Sequence, residues 1–437
     1  MQMKYSPEIQ ASINSPGQLE KLYQAARQAN DEAEFRHDIQ AASENAPDNI
    51  LLAAWQARFE HSPLVKARRV TNWALAVMLG VVTGLCLFAI SDPNLRFINL
   101  LPYVLIFWSP IVTMLVIVFL ALISKRNYLF AAIAVVSLAI AGLYIWLVTP
   151  NMSRTTGEHF MTLMAIQLPL LCWIALGVAV MKFHSTDSNR FAFLTKSIEV
   201  MITAGVYLIF GVAFGLITLG MFAALSVTPP DIIMRLAIAG GFGLIPILAV
   251  ATMYDPSVAP EGQDFSQGLS KFVFTMMRLL LPLTLLVLVI YIFVIPFNFF
   301  APFENRDLLI IYNVMQFAII GLLIGATPLK IDDLSTNLQK WLRWGIVAVS
   351  ILALLISLYA LSAVSYRTAI DRLTLNRLTI IGWNVINIAI LGVMIYTQFK
   401  KDSSPWHERL QRVFSKATGA YLAWSVFSIL ALPWIFR

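Results

Sequence analysis

From about Val70 onward the hydrophobic positions neither alternate with polar ones nor keep to one helical face. They run on continuously, in stretches long enough to cross a lipid bilayer. A hydrocarbon core of about 30 Å takes roughly 20 helical residues to span. Only helices and closed barrels satisfy their backbone hydrogen bonds in that medium, and an unbroken apolar run selects helices. The pattern therefore predicts an all-α fold, a polytopic transmembrane helical bundle with spans near residues 70–90, 98–123, 128–148, 161–181, 198–225, 232–253, 272–297, 308–326, 342–362, 378–397 and 417–434. The bundle takes up residues 67–437, and residues 1–66 read as a small cytosolic helical head.

In the head, Ser15, Pro16 and Gln18 have the spacing of an N-cap, a first helical residue and a capping-box partner. Leu19, Leu22, Tyr23 and Ala26 follow on one face. A second helix is predicted from Asp31 to about Ala42 through Phe35 and Ile39. A third begins near Pro47-Asp48-Asn49 and carries Leu51, Leu52, Trp55 and Phe59. Two readings fit such a unit: a cap on the inner face of the bundle, or a module that docks a cytosolic protein partner through residues 15–60.

Composition supports the membrane reading, with 59% hydrophobic and 13% charged residues against globular averages of about 45–50% and about 25%. Charge then orients the chain. With the N-terminus inside, Lys66, Arg68, Arg69, Lys125, Arg126, Lys182, Arg190, Lys196, Lys271, Arg278, Lys330, Lys340, Arg343, Lys400, Lys401, Arg409, Arg412 and Lys416 all fall on the inner side. Only Arg96, Arg154, Arg235, Arg306, Arg367, Arg372, Arg377 and Arg437 fall outside, so the positive-inside rule favours a cytoplasmic N-terminus and an external C-terminus. This bias accounts for much of the formal charge of +7 without a nucleic-acid partner. The polar start does not read as a signal peptide, and the head is net acidic, which disfavours adhesion to an anionic leaflet.

Chemistry is sparse. Cys86 and Cys172 lie inside spans and read as small packing residues. The histidines His37, His61, His159, His184 and His407 are dispersed, and no HExxH, CxxC, P-loop or GxSxG spacing occurs. His184-Ser-Thr-Asp187 is the nearest catalytic-looking cluster and reads as a solvated loop. No cofactor, metal site or enzymatic activity is expected.

Polar residues within spans are the sharper clue, because burial in lipid is costly unless they are partnered. Asn313 and Gln316 in the eighth span, and Asn384 and Asn387 in the tenth, are three apart and share a face in each helix. If those faces converge, they form one polar seam, either an interhelical hydrogen-bonded joint or a solute or ion path. Glu199 and Arg278 are placed to pair across the inner mouth. The GxxxG pairs Gly80/Gly84, Gly211/Gly215 and Gly321/Gly325 predict close helix crossings, and Pro169, Pro246 and Pro282 predict kinks. Residues 404–414 read as an amphipathic segment lying along the inner leaflet, with Arg409 and Arg412 offered to headgroups.

The loop after the ninth span breaks the charge rule by setting Arg367, Arg372 and Arg377 outside. It reads as an anion or headgroup site, as a structural re-entrant corner, or, with a different span count, as an inner loop that obeys the rule, and Arg367 and Asp371 are spaced to pair. Ser365-Tyr366-Arg367, followed by Leu373-Thr374-Leu375-Asn376-Arg377 and Trp383-Asn384, resembles the arginine and Leu-Thr-x-x-Arg signature of a bacterial multispan membrane family called domain of unknown function 4153. Arg372 departs from it, standing where the family's glycine is expected. The resemblance implies a bacterial inner-membrane setting and no established activity. Two functions are open on the sequence: a transporter-like or solute- or lipid-handling bundle, and a non-transporting organiser or sensor that docks a partner through its head.

Overall fold

The structure, a computed structural model, describes all residues except 1–4, 29–30, 62–70, 98–100, 126–127, 182–184, 266–267, 330, 332–333, 401–402 and 437. Lys66, Arg68, Arg69, Arg126, Lys182, His184, Lys330, Lys401 and Arg437, used above for orientation or as candidates, lie outside the described residues. The chain divides into two compact units, Met1–Thr71 and Asn72–Arg437.

The first unit contains α1 (Ser6–Ala11), α2 (Pro16–Gln28), α3 (Glu32–Asn45) and α4 (Ile50–His61). The three predicted faces meet as read: Leu19, Tyr23 and Ala26 of α2 pack on Phe35 and Ile39 of α3 and on Leu52 and Trp55 of α4. Helix α1 was not anticipated, since one apolar residue, Ile9, carries its packing and is fully buried. Gln18, read as a capping-box partner, accepts a hydrogen bond from Ser12 Oγ (3.4 Å). Asn49 caps α4, its Oδ1 accepting from the amides of Leu51 (2.9 Å) and Leu52 (3.1 Å). We expect Asn49→Ala to destabilise this unit by about 1 kcal/mol, the usual cost of a lost N-cap. Hydrogen exchange at those two amides should report it as faster local opening.

Among its described residues, the second unit holds eleven helices long and apolar enough to cross a membrane. They are α5 (Trp73–Ile90), α6 (Tyr103–Ser124), α7 (Tyr128–Val148), α8 (Arg154–Met181), α9 (Asp187–Ala224), α10 (Asp231–Met253), α11 (Gly268–Val294), α13 (Arg306–Ala326), α14 (Thr336–Ile370), α15 (Leu375–Phe399) and α16 (Trp406–Leu430). Short helices α12 (Ala301–Glu304) and α17 (Leu432–Ile435), and an antiparallel pairing of β1 (Arg96–Phe97) with β2 (Leu101–Pro102), complete it. The protein is thus an all-α, multi-pass membrane protein.

Three packed groups build the bundle. Helices α5, α6 and α10 share one core, and α6, α7 and α8 share a second. A third runs from the start of α9 through α11, α13, α14, α15 and α16. Pro169, Pro246 and Pro282 lie inside α8, α10 and α11 as expected, and Pro110 adds a fourth interruption in α6.

The glycine pairs behave differently from one another. A Cβ on Gly84 would lie 2.8 Å from the Cα of Gly240, so α5 and α10 cross backbone to backbone. Gly211 and Gly215 have nothing within 4 Å of such a Cβ, and α9 is exposed around them. Their predicted close crossing does not occur among the described residues, because these glycines face away from any neighbouring atom.

Two boundaries also differ from the hydropathy reading. Helix α14 runs on to Ile370, because Ala363 and Val364 still face the core after the apolar run has ended. Residues 406–416 are the first turns of α16 and not a separate surface segment. Arg409, Leu410, Gln411, Val413 and Phe414 are buried there, so that stretch packs into the bundle.

Candidate functional site

The four amides converge. Gln316 Nε2 donates to Asn384 Oδ1 (2.8 Å), and Asn384 Nδ2 donates to Asn313 Oδ1 (2.9 Å) and to the carbonyl of Ile380 (2.9 Å). Asn387 Nδ2 donates to Gln316 Oε1 (3.1 Å), and Asn313 Nδ2 to the carbonyl of Leu309 (2.6 Å). Tyr421 of α16 closes the chain by donating its hydroxyl to Asn387 Oδ1 (2.8 Å). Every amide nitrogen and oxygen in the set thereby has a partner. Gln316, Asn384 and Asn387 are buried, and the rings of Phe317, Trp383 and Tyr421 stand together beside them. In a low-dielectric interior a fully satisfied network is rigid and a partly satisfied one is costly. This one joins α13, α15 and α16 and leaves no amide atom unpaired for a passing solute.

One helical turn from this network is the arginine corner. Leu309 and Ile380, whose carbonyls anchor Asn313 and Asn384, line a cavity of about 750 Å³ that also takes in Arg367, Arg372, Arg377 and His159. Among the described residues, none that lines it is acidic. Its lining sets the arginines, Thr155, Thr156 and Asn376 together with the apolar side chains of Leu309, Ile310, Val364, Ile435 and Phe436. Thr374 caps α15 as its side chain accepts from the amide of Arg377 (3.4 Å). Asn376 Nδ2 lies 3.3 Å from His159 Nδ1, tying α15 to α8.

The three arginines do not play one role. Arg377 is largely used up by the turn: Nη1 donates to the carbonyls of Arg367 (3.0 Å) and Arg372 (2.9 Å), and Nη2 to Asp371. The expected Arg367–Asp371 pair does not form. Helix α14 ends between them, and the chain folds back so that Arg377 reaches the carboxylate instead. The Arg377 guanidinium holds the Asp371 carboxyl below the usual carboxylate range. The pairing therefore persists at neutral pH and is lost only as pH falls through that lowered value. Arg367 keeps a buried Nη1 without a hydrogen-bond partner. Arg372 is exposed at the rim, and among the described residues only Lys125 and Ser226 have positive φ without being glycine. The turn therefore needs no left-handed residue at position 372, and an arginine serves there.

The Glu199–Arg278 pair is also replaced. Glu199 Oε2 accepts from Lys196 Nζ and from Ser270 Oγ, both at 2.7 Å, and Lys196 donates further to the carbonyl of Asp264 (2.9 Å). Lys196 is one turn away on the same helix. On α11 it is Ser270 that reaches the carboxylate, two turns ahead of Arg278. The result is a buried clamp between α9 and the loop before α11. Asp187 of the serine, threonine and aspartate cluster accepts from Ser415 Oγ (2.9 Å), a structural tie to α16.

Sequence reasoning missed His159 and Tyr421. Each lies far along the chain from the group it meets, 217 residues in one case and 34 in the other, and no local spacing marks either contact. Comparison with protein-family models, curated proteins and solved structures gave no match to this chain, so the site is read from its own geometry.

Proposed function

We propose that this membrane protein recognises an anionic amphiphile, a phosphate or carboxylate group joined to an apolar tail, at the arginine corner. The observation that carries the reading is the cavity itself, whose described lining combines three arginines with apolar side chains and includes no acid. Guanidinium groups match phosphate and carboxylate oxygens in geometry as well as charge. The buried Nη1 of Arg367 is the donor best placed to gain from an oxyanion, because a polar group kept from water without a partner is costly. The positive-inside bias of the remaining loops favours an external setting for this corner, and the likeness to domain of unknown function 4153 suggests a bacterial inner membrane. A closed amide network beneath the cavity favours recognition and handling of the amphiphile over open conduction.

The test is binding of a single-chain lysophosphatidylglycerol to purified protein in a neutral detergent, beside its phosphocholine analogue. Charge-assisted hydrogen bonds contribute about 1.5–3 kcal/mol each. Arg367→Ala with Arg372→Ala should therefore weaken the anionic ligand by about 100-fold or more and leave the zwitterionic one unchanged. Equal affinity of the two ligands for the native protein would remove the proposal.

A further inference from the structure

At the other end of α15 a second basic site is built differently. A groove of about 530 Å³ runs between α15 and α16 and is lined by Lys400, Arg409, Arg412 and Lys416, with no acidic residue among the described lining residues. It shares no residue with the arginine corner: the two linings come within five residues of each other on α15, at Ile380 and Val385, but their cations, Arg377 and Lys400, are 23 residues apart, or about 35 Å along the helix.

The layout is that of a headgroup and a chain. Lys400, Arg409 and Arg412 lie where α15 ends and α16 begins, with Lys416 one turn further along α16, while Val385, Ala389 and Val393 line the groove along α15 at four-residue spacing and are exposed. From residue 385 to 400 this face extends about 22 Å along the helix. Arg412 and Lys416 are one turn apart on α16, and both are exposed with Lys400. Arg409 forms the floor. It is only 8% exposed, its Nη1 donates to the carbonyls of Thr397 (2.7 Å) and Lys400 (2.8 Å), and its buried Nε has no hydrogen-bond partner.

We infer that this groove is a binding site for one anionic phospholipid, with the phosphate held among Lys400, Arg409, Arg412 and Lys416 and an acyl chain lying on the α15 wall. A free phosphate would use the cations and leave the apolar track without purpose. A soluble acidic protein would have to enter between two membrane-spanning helices to reach it. Lysine and arginine stems at a membrane boundary lie along apolar surface while their heads seek charge, the posture that Arg412 and Lys416 need here. The site does not depend on the function proposed for the arginine corner.

The experiment is native mass spectrometry of the full-length protein carrying Arg367→Ala and Arg372→Ala, which silences the other corner. It is delipidated and titrated with phosphatidylglycerol or phosphatidylcholine of identical chains. Phosphatidylglycerol should bind preferentially. Adding Arg412→Gln and Lys416→Gln should weaken it about 30-fold, at about fivefold for each cation lost near a membrane surface. Ala389→Phe should also weaken it with every charge intact, by filling the chain track. Millimolar inorganic phosphate should not displace the lipid. Equal retention of the two lipids, native-like retention by the glutamine variants, or displacement by phosphate alone would overturn the inference.

Discussion

Replacing Asn384 with leucine should destabilise the bundle by about 2 kcal/mol, the low end of what two orphaned buried groups cost. The change strands Gln316 Nε2, which loses its acceptor, and Asn313 Oδ1, which loses its donor. A buried polar group left unpaired costs about 1–3 kcal/mol. Interhelical hydrogen bonds in membranes average nearer 0.6 kcal/mol, because the unfolded chain also finds partners in lipid, and this pulls the sum of two such losses down to about 2 kcal/mol. The diagnostic is a double-mutant cycle. Gln316→Leu combined with Asn384→Leu should cost less than the two single changes added together, since each single variant strands what the double removes. Thermal unfolding in detergent measures all four proteins, and strictly additive losses would show that the network does not act as a unit.

A larger effect is expected where α5 crosses α10. A Cβ at Gly243 would lie 2.2 Å from the amide nitrogen of Gly84 and 2.9 Å from the carbonyl oxygen of Gly80, both backbone atoms that no rotamer change can move. Overpacking ordinarily costs about 1–3 kcal/mol through side-chain and small backbone shifts. At this crossing whole helices must part, so Gly243→Leu should exceed that range and abolish recovery of monodisperse protein in size-exclusion chromatography. Gly215→Leu is the matched control: nothing lies within 4 Å of its added Cβ, and it should purify normally. Normal recovery of Gly243→Leu would mean that the crossing is not as tight as drawn.

How much of this was legible in the sequence depends on the range of each interaction. The spans were readable because apolar runs are local, and the amide seam because three-residue spacing sets Asn313 beside Gln316 and Asn384 beside Asn387 on their own helices. The arginine corner was readable through its breach of the charge rule. What could not be read was who meets whom across the bundle. Glu199 was assigned to Arg278 because both lie near one mouth, yet Lys196 on its own helix and Ser270 were in closer register. Arg367 was assigned to Asp371 on helical spacing, but α14 stops at Ile370 and the spacing no longer applies. Residues 404–414 read as a surface segment because their apolar and charged positions fall on opposite faces, whereas burial of Arg409 with its hydrogens on backbone carbonyls lets a charged stretch enter the core. The GxxxG motif shows the same limit: one sequence pattern gives a tight crossing at Gly84 and an open surface at Gly211.

The central proposal, an external anion-recognising corner, is tested most directly by accessibility at Leu373, which is exposed and lines the cavity. With Cys86 and Cys172 replaced by alanine, a single Leu373→Cys probe is labelled in intact cells with a membrane-impermeant maleimide, with and without lysophosphatidylglycerol. The account predicts labelling from outside, slowed by the anionic amphiphile and not by its phosphocholine analogue. Labelling only after the cells are opened, or at a rate that the anionic ligand leaves unchanged, would contradict it.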